Sequence, residues 1–217
     1  FAPAQYVPVD ISVEFLRNAV AGLQRRFPAL AMLGVGVDFS QTLELPTAVR
    51  SESRVFFYPG SSIGNFTPEE AQAFLQRLKT QGQAQSVLIG VDLVKPKSIL
   101  EPAYDDALGI TAAFNKNLLL HANQVLGADF NLHDWRHVGV FNEAQSRIEM
   151  HLAARRDTTV RWAGFDRSFK EGERIHTENS YKYTPERFKA LLQSAGFSDV
   201  RHWSDDNGWF AVFHAKA

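Results

Sequence analysis

Ser86-Val87-Leu88-Ile89-Gly90-Val91-Asp92-Leu93-Val94 is a continuous apolar run with an aspartate near its end. A strand with one wet face alternates apolar and polar residues. An unbroken run predicts instead a central parallel strand covered by helices on both faces. Upstream, Val55-Phe56-Phe57-Tyr58 reads as a strand closed by Pro59-Gly60, and Ser61 to Phe66 as a polar, glycine-containing loop. Thr67-Pro68-Glu69-Glu70 then opens a helix. Thr67 supplies the N-cap oxygen, Pro68 takes the first helical position where its missing N–H costs nothing, and Glu70 can close a capping box. Ala71, Phe74, Leu75 and Leu78 share one face of that helix.

Further upstream, Tyr6 to Ile11 reads as a short buried strand. Ser12 can cap a helix carrying Phe15, Leu16, Ala19, Val20 and Leu23, and Ala31 to Phe39 is again strand-like with Asp38 near its end. The order strand, helix, strand, strand, helix, strand is that of a parallel sheet with crossover helices, in which ligands sit beyond the carboxyl ends of the strands. Asp10, Asp38, Gly60 to Asn65 and Asp92 all fall there. Downstream, Tyr104 to Leu126 is mostly helical. His137 to Arg161 alternates like an antiparallel pair turning near Asn142-Glu143, and Ile175 to Tyr183 is another strand candidate. Thr184-Pro185-Glu186 opens a helix ending at Gly196, and Val200 to Ser204 and Trp209 to His214 flank the turn Asp205-Asp206-Asn207-Gly208.

With 45% hydrophobic residues among 217 and a formal net charge of -1, the chain has the make-up of one ordinary globular protein. No basic face suggests nucleic acid and no basic amphipathic stretch suggests a membrane, so the expected partner is a small molecule. No run approaches the roughly 20 apolar residues of a membrane helix. The absence of cysteine excludes disulfides, thiolate zinc sites and cysteine nucleophiles while leaving the compartment open. Phe1-Ala2-Pro3-Ala4-Gln5 leads directly into a strand-like run, with the look of a chain cut inside a domain.

Asp10 can accept both hydroxyls of a ribose or simply complement the dipole of the following helix. Asp38-Phe39 could meet an adenine amino group and ring, or be a turn and a core residue. Gly60-Ser61-Ser62-Ile63-Gly64-Asn65 offers close backbone approach to a ligand; with no basic residue and no Gly-Lys-Ser/Thr ending, it is not a phosphate loop. Tyr104-Asp105-Asp106 reads as surface or capping carboxylates rather than a metal pair, and the seven histidines lack the spacing of a zinc site, so no metal is expected. Glu178 and Ser180, two apart on a strand, face the same side and could together hold one polar ring, or belong to an exposed polar face.

A parallel sheet finishing in an antiparallel hairpin resembles the Rossmann-like sheet of class I S-adenosylmethionine methyltransferases. Gly60-Ser-Ser-Ile-Gly-Asn-Phe66, Gly90-Val-Asp-Leu-Val-Lys95, Ala103-Tyr-Asp-Asp106, Thr111-Ala-Ala-Phe-Asn115, Arg147-Ile-Glu-Met150 and Thr177-Glu-Asn-Ser-Tyr-Lys-Tyr183 together resemble the histidine-specific Nα-methyltransferases. The resemblance implies S-adenosylmethionine as cofactor, trimethylation of L-histidine to hercynine on the way to ergothioneine, and a cytoplasmic setting. It implies that Asn65 and Tyr104 bind the carboxylate and amino end of the substrate, Glu178 and Ser180 the imidazole, and that Phe114 and Met150 line the pocket. On the cofactor side it implies Asp10 for the ribose, Asp38 and Phe39 for the adenine, and Gly60 for the methionine end. The implied division is residues 1–97, a partial cofactor domain; 98–183, an α+β substrate-binding insertion; and 184–217, completing the sheet. The family's first strand, its glycine-rich cofactor loop and its helical N-terminal region are expected to precede Phe1. Two other readings remain open: a related methyltransferase module acting on a thiol-bearing histidine, and a truncated module without catalysis. Oligomeric state is not legible.

Overall fold

The computed structural model describes residues 3–81 and 84–217; Phe1 and Ala2, at the chain start discussed above, lie outside them. In chain order the elements are β1 (Gln5–Tyr6), β2 (Val9–Asp10), α1 (Val13–Arg26), β3 (Ala31–Met32), β4 (Val35–Gly36), β5 (Arg54–Tyr58), α2 (Pro68–Thr80), β6 (Ala84–Asp92), α3 (Lys97–Tyr104) and α4 (Ile110–Leu126). There follow β7 (Trp135–Asn142), β8 (Arg147–Ala154), β9 (Thr158–Trp162), β10 (Phe165–Phe169), β11 (Arg174–Tyr181), α5 (Pro185–Ser194), β12 (Ser198–Ser204) and β13 (Phe210–Lys216).

The central sheet runs β12-β13-β6-β5, with β5 parallel to β6 and the closing hairpin antiparallel. Val87, Ile89 and Val91 of β6 are fully buried, and Phe74, Leu75 and Leu78 of α2 join Phe188 and Leu192 of α5 over them. Phe56 and Tyr58 pack on that same side. On the opposite side Leu88 is half-buried, and Val55 and Phe57 are exposed. The expectation of helical cover on both faces is therefore met on one face only among the described residues.

The expected strands at Tyr6 to Ile11 and Ala31 to Phe39 are corrected to two short parallel ladders, β1 with β3 and β2 with β4, each two residues long and with only Val35 buried. Ser12 starts α1 without a side-chain cap; the Ser12 N–H donates instead to Asp10 Oδ1 at 2.8 Å. Of the expected α1 face, Leu16 is buried whereas Phe15 is exposed. The Thr67 capping box forms in full, with both hydrogen bonds between Thr67 and Glu70 present.

A second sheet, β11-β8-β7, is antiparallel throughout and carries α3 and α4 on one face. The β9–β10 hairpin and α3 are not among the elements predicted from the sequence. Leu93 and Tyr183 join the two sheets through a parallel bridge, with Val94 N–H donating to the Tyr183 carbonyl at 3.0 Å. That seam sets the tip of β11 against the carboxyl end of β6.

Thr67→Ala should lower stability by about 1 kcal/mol in chemical denaturation, the usual cost of losing an N-cap. Gly90→Ala should cost more, because a Cβ there would overlap the Pro59 carbonyl oxygen and lie 2.7 Å from Phe210 Cζ. Equal losses for the two variants would mean that the Pro59 turn yields freely.

Candidate active site

The carboxyl ends of β5 and β6, the end of α3 and one face of β11 meet around a cavity of about 370 Å³ lined by polar residues and Phe210. After β5 the chain turns at Pro59-Gly60, enters the left-handed region at Ser61 (φ 58°) and winds into a short 3-10 turn, Ser62–Asn65. Ser61 Oγ accepts the Asp92 N–H at 2.8 Å, fixing this loop to the end of β6. Tyr104 arrives from the last turn of α3. Gly139 of β7 lets it come close: a Cβ there would lie 2.9 Å from the Tyr104 carbonyl oxygen, to which His137 Nε2 also bonds at 2.7 Å.

Glu178, Ser180 and Lys182 follow one another at the two-residue period of a strand face. The Lys182 side chain is wholly buried, and its ammonium donates to Tyr104 Oη at 2.7 Å, Ser180 Oγ at 2.8 Å and Asp92 Oδ2 at 2.7 Å. Asp92 Oδ1 is taken by Lys95 at 2.5 Å. Tyr104 Oη and Ser180 Oγ are 2.9 Å apart. Burial pushes the Glu178 carboxyl above its ordinary range, and the Lys182 charge pulls it part of the way back.

Of the residues singled out from the sequence, Gly60, Asn65, Tyr104, Glu178 and Ser180 come together around this cavity. Met150 and Phe114 do not line it. Met150 is buried with Leu100 and Ile148, opposite Glu178 in register, because β8 is the middle strand of its sheet. Phe114 lies on α4 and is 67% exposed. Phe39 packs at ring-centroid distances of 5.9 Å from Tyr58 and 6.1 Å from Phe74, as a core residue. Asp10 Oδ1 and Asp38 Oδ1 bind their own loops, the latter through the Ser40 N–H and hydroxyl. Among the described residues their Oδ2 atoms take no hydrogen bond. At Gly60 a Cβ would meet only Ser62 Oγ at 3.8 Å, so the residues present leave room for a close ligand at this loop and one oxygen on each aspartate to accept a hydrogen bond.

Sequence reasoning gave Lys182 no role of its own and named Ser61 only as part of the Gly60 to Asn65 loop. The alternation that pairs Glu178 with Ser180 extends to Lys182, so the signal for the lysine was present. The Ser61–Asp92 bond spans 31 residues and leaves no sequence signal.

Outside the cavity, Asp106 accepts the Ile110 and Thr111 N–H groups and caps α4, as its position suggested. Glu149 and His151, neighbours on one strand face, and His176 from the next strand bring one potential metal-binding atom each to within 4.8 Å. Glu149 is already held by Arg147 at 2.7 Å, Asn142 at 2.9 Å and His151 at 3.2 Å. A cation would have to compete with the Arg147 guanidinium, and the arrangement reads as an ion-paired network.

The fold belongs to the S-adenosylmethionine-dependent methyltransferases. A crystal structure of such an enzyme from Clostridium acetobutylicum matches 98% of this chain and 74% of its own with a TM-score of 0.51 at 11% identity. The chain belongs to the family described as histidine-specific methyltransferase, SAM-dependent, which matches residues 2–217. It is 39% identical to the histidine N-alpha-methyltransferase of Mycolicibacterium smegmatis over 96% of this chain and 65% of that protein. It is 31% identical to ergothioneine biosynthesis protein 1 of Neurospora crassa over 98% of this chain and 24% of that protein. The chain therefore spans about two thirds of the mycobacterial relative.

Burial pushes the Glu149 carboxyl up, but hydrogen bonds from Arg147, Asn142 and His151 outweigh it and hold the group at about 2. A depressed carboxyl stabilises the fold fully above its unfolded value of about 4.3 and loses that contribution as pH falls toward the folded one. Glu149→Gln should therefore flatten the decline in stability between about pH 4.5 and pH 2, read by urea denaturation across that range. An unchanged slope would place the acid sensitivity elsewhere.

Proposed function

We propose that the intact protein is an S-adenosylmethionine-dependent N-methyltransferase that trimethylates the α-amino group of L-histidine to hercynine. One observation carries this reading: a single cavity joins Asn65, Tyr104, Glu178 and Ser180 to the Gly60 loop at the carboxyl end of the sheet. Family membership and the printed names of the relatives support the same substrate class. The proposed division of labour follows residues 1–97 and 184–217 for the cofactor and 98–183 for the substrate. The proposed setting is cytoplasmic; no helix of the described residues is long and apolar enough to cross a membrane.

S-adenosylmethionine, held with its methionine end at the Gly60 loop, would supply a methyl group on a cationic sulfur that serves as the leaving group. The chain has to hold a neutral amine in line with that methyl group and keep water away, and positioning of this kind removes a large part of the barrier. Asn65 takes the carboxylate and amino end, with the Tyr104 ring beside it and Gly60 at the adjacent loop. Ammonium is disfavoured beside positive charge, so a cationic sulfonium facing the amine would favour its neutral form without a dedicated base. Glu178 and Ser180 take the imidazole. A half-buried carboxylate left without a ring N–H rejects analogues that lack one, since an unpaired buried polar group is costly.

Incubation with L-histidine and S-adenosylmethionine should yield a product heavier by three methyl-for-hydrogen replacements on nitrogen. Methylation of 5-thiolhistidine in preference to histidine would overturn the substrate assignment. Glu178→Ala should weaken histidine binding at least tenfold, the loss of about 1.4 kcal/mol expected for one charged hydrogen bond, while leaving S-adenosylhomocysteine affinity within twofold by calorimetry. Equal losses for both ligands would remove Glu178 from ring recognition.

A further inference from the structure

The hydrogen-bond valence of the cavity is more specific than its list of polar residues. An ammonium has three N–H donors and no acceptor. All three donors of Lys182 are spent, on Tyr104, Ser180 and Asp92. The hydroxyls of Tyr104 and Ser180 each accept from the lysine, and at 2.9 Å one of them donates to the other. A serine hydroxyl has two acceptor lone pairs, whereas a phenol oxygen conjugated to its ring accepts well only once. The consistent arrangement has Tyr104 donating to Ser180. Ser180 Oγ then accepts from both Lys182 and Tyr104, and its own proton is the one left for the cavity. Beside it stands Glu178, which as a carboxylate only accepts.

We infer that Lys182 is a positioning residue that locks Ser180 as a hydrogen-bond donor, so that the cavity takes a neutral ring with one N–H and one bare nitrogen and rejects the doubly protonated ring. The inference rests on the proposed histidine substrate and goes beyond it by choosing the ring's protonation state. Neutral imidazole fits both partners at once, giving its N–H to Glu178 and receiving the Ser180 proton on the other nitrogen. Imidazolium offers two N–H groups, and the second meets a hydroxyl with no free lone pair close to a buried cation.

The titratable groups facing Ser180 and Lys182 are Tyr104 from α3, Asp92 and Lys95 at the end of β6, and Glu178 on β11. Of these, Asp92 keeps Lys95 as a partner when Lys182 is replaced by an apolar side chain.

The test reads the ring itself. Histidine labelled with nitrogen-15 in the imidazole is bound to the intact protein in the presence of S-adenosylhomocysteine, and its ring pKa is followed by NMR in the wild type, Lys182→Met and Ser180→Ala. In the wild type the bound ring should stay neutral at least one pH unit below the free value of about 6.5, a tenfold or greater preference for the neutral form. Both variants should return the ring pKa to the free value or above. An unchanged value in Lys182→Met overturns the inference. A rise in Lys182→Met with none in Ser180→Ala also overturns it, because the lysine would then act as a bare charge and not through the hydroxyl. Should Lys182→Met fail to bind S-adenosylhomocysteine and so prove misfolded, Ser180→Ala decides alone by the same criterion. A wild type that binds S-adenosylhomocysteine but no histidine would instead refute the substrate assignment.

Discussion

The buried ammonium of Lys182 is the constraint around which the two sheets are arranged. A lysine side chain with no solvent contact is tolerated only when its charge is paired and its three protons are placed. Here the three acceptors come from β6, α3 and β11, which belong to different parts of the chain. Satisfying one cation therefore fixes the end of the central strand, the last turn of a helix and the tip of the second sheet relative to one another. Removing one partner of a buried ion pair generally costs about 3–5 kcal/mol, most of it the cost of stranding the other charge. Asp92 is protected from that extreme by Lys95, and the cluster can hold a fixed geometry without depending on a single bond.

Around this point the packing follows from local rules. The capping box at Thr67 starts α2 immediately after the Gly60 loop, so the loop is held between a strand end and a helix start. Gly90 admits the Pro59 backbone and Gly139 admits the Tyr104 backbone, at approaches a side chain would forbid. The cavity is thus framed by main chain as much as by side chains. That suits the proposed reaction, in which placement of an amine carries most of the acceleration.

Much of this was legible in the sequence, and the omissions have a physical pattern. The Ser86 to Val94 run identified β6, and the Thr-Pro-Glu openings identified α2 and α5, because in each case neighbouring residues determine the outcome. The two-residue period placed Glu178 beside Ser180. What local pattern could not supply was contact across distance. Ser61 with Asp92, Tyr104 with Lys182, and Glu149 with His176 are joined by the sheets and not by spacing. Local pattern likewise left Phe39 open between an adenine contact and a core residue, and Met150, implied by the resemblance alone, stands across from Glu178 without lining the cavity.

Met150 shows how a residue outside the cavity lining can still govern it. Met150 stands opposite Glu178 and Ile148 opposite Ser180, with an irregularity between His176 and Glu178 that resets the register of β11. On the other side of the strand, Arg147 reaches the Tyr181 hydroxyl at 2.6 Å and Glu149 at 2.7 Å. A slip of β11 by one residue would turn Glu178, Ser180 and Lys182 away from the cavity together and present Asn179 and Tyr181 in their place. The apolar packing of Met150 and Ile148 on one side and the Arg147 network on the other oppose that slip from both faces. The register of Glu178 and Ser180 is thus held by residues that do not line the cavity.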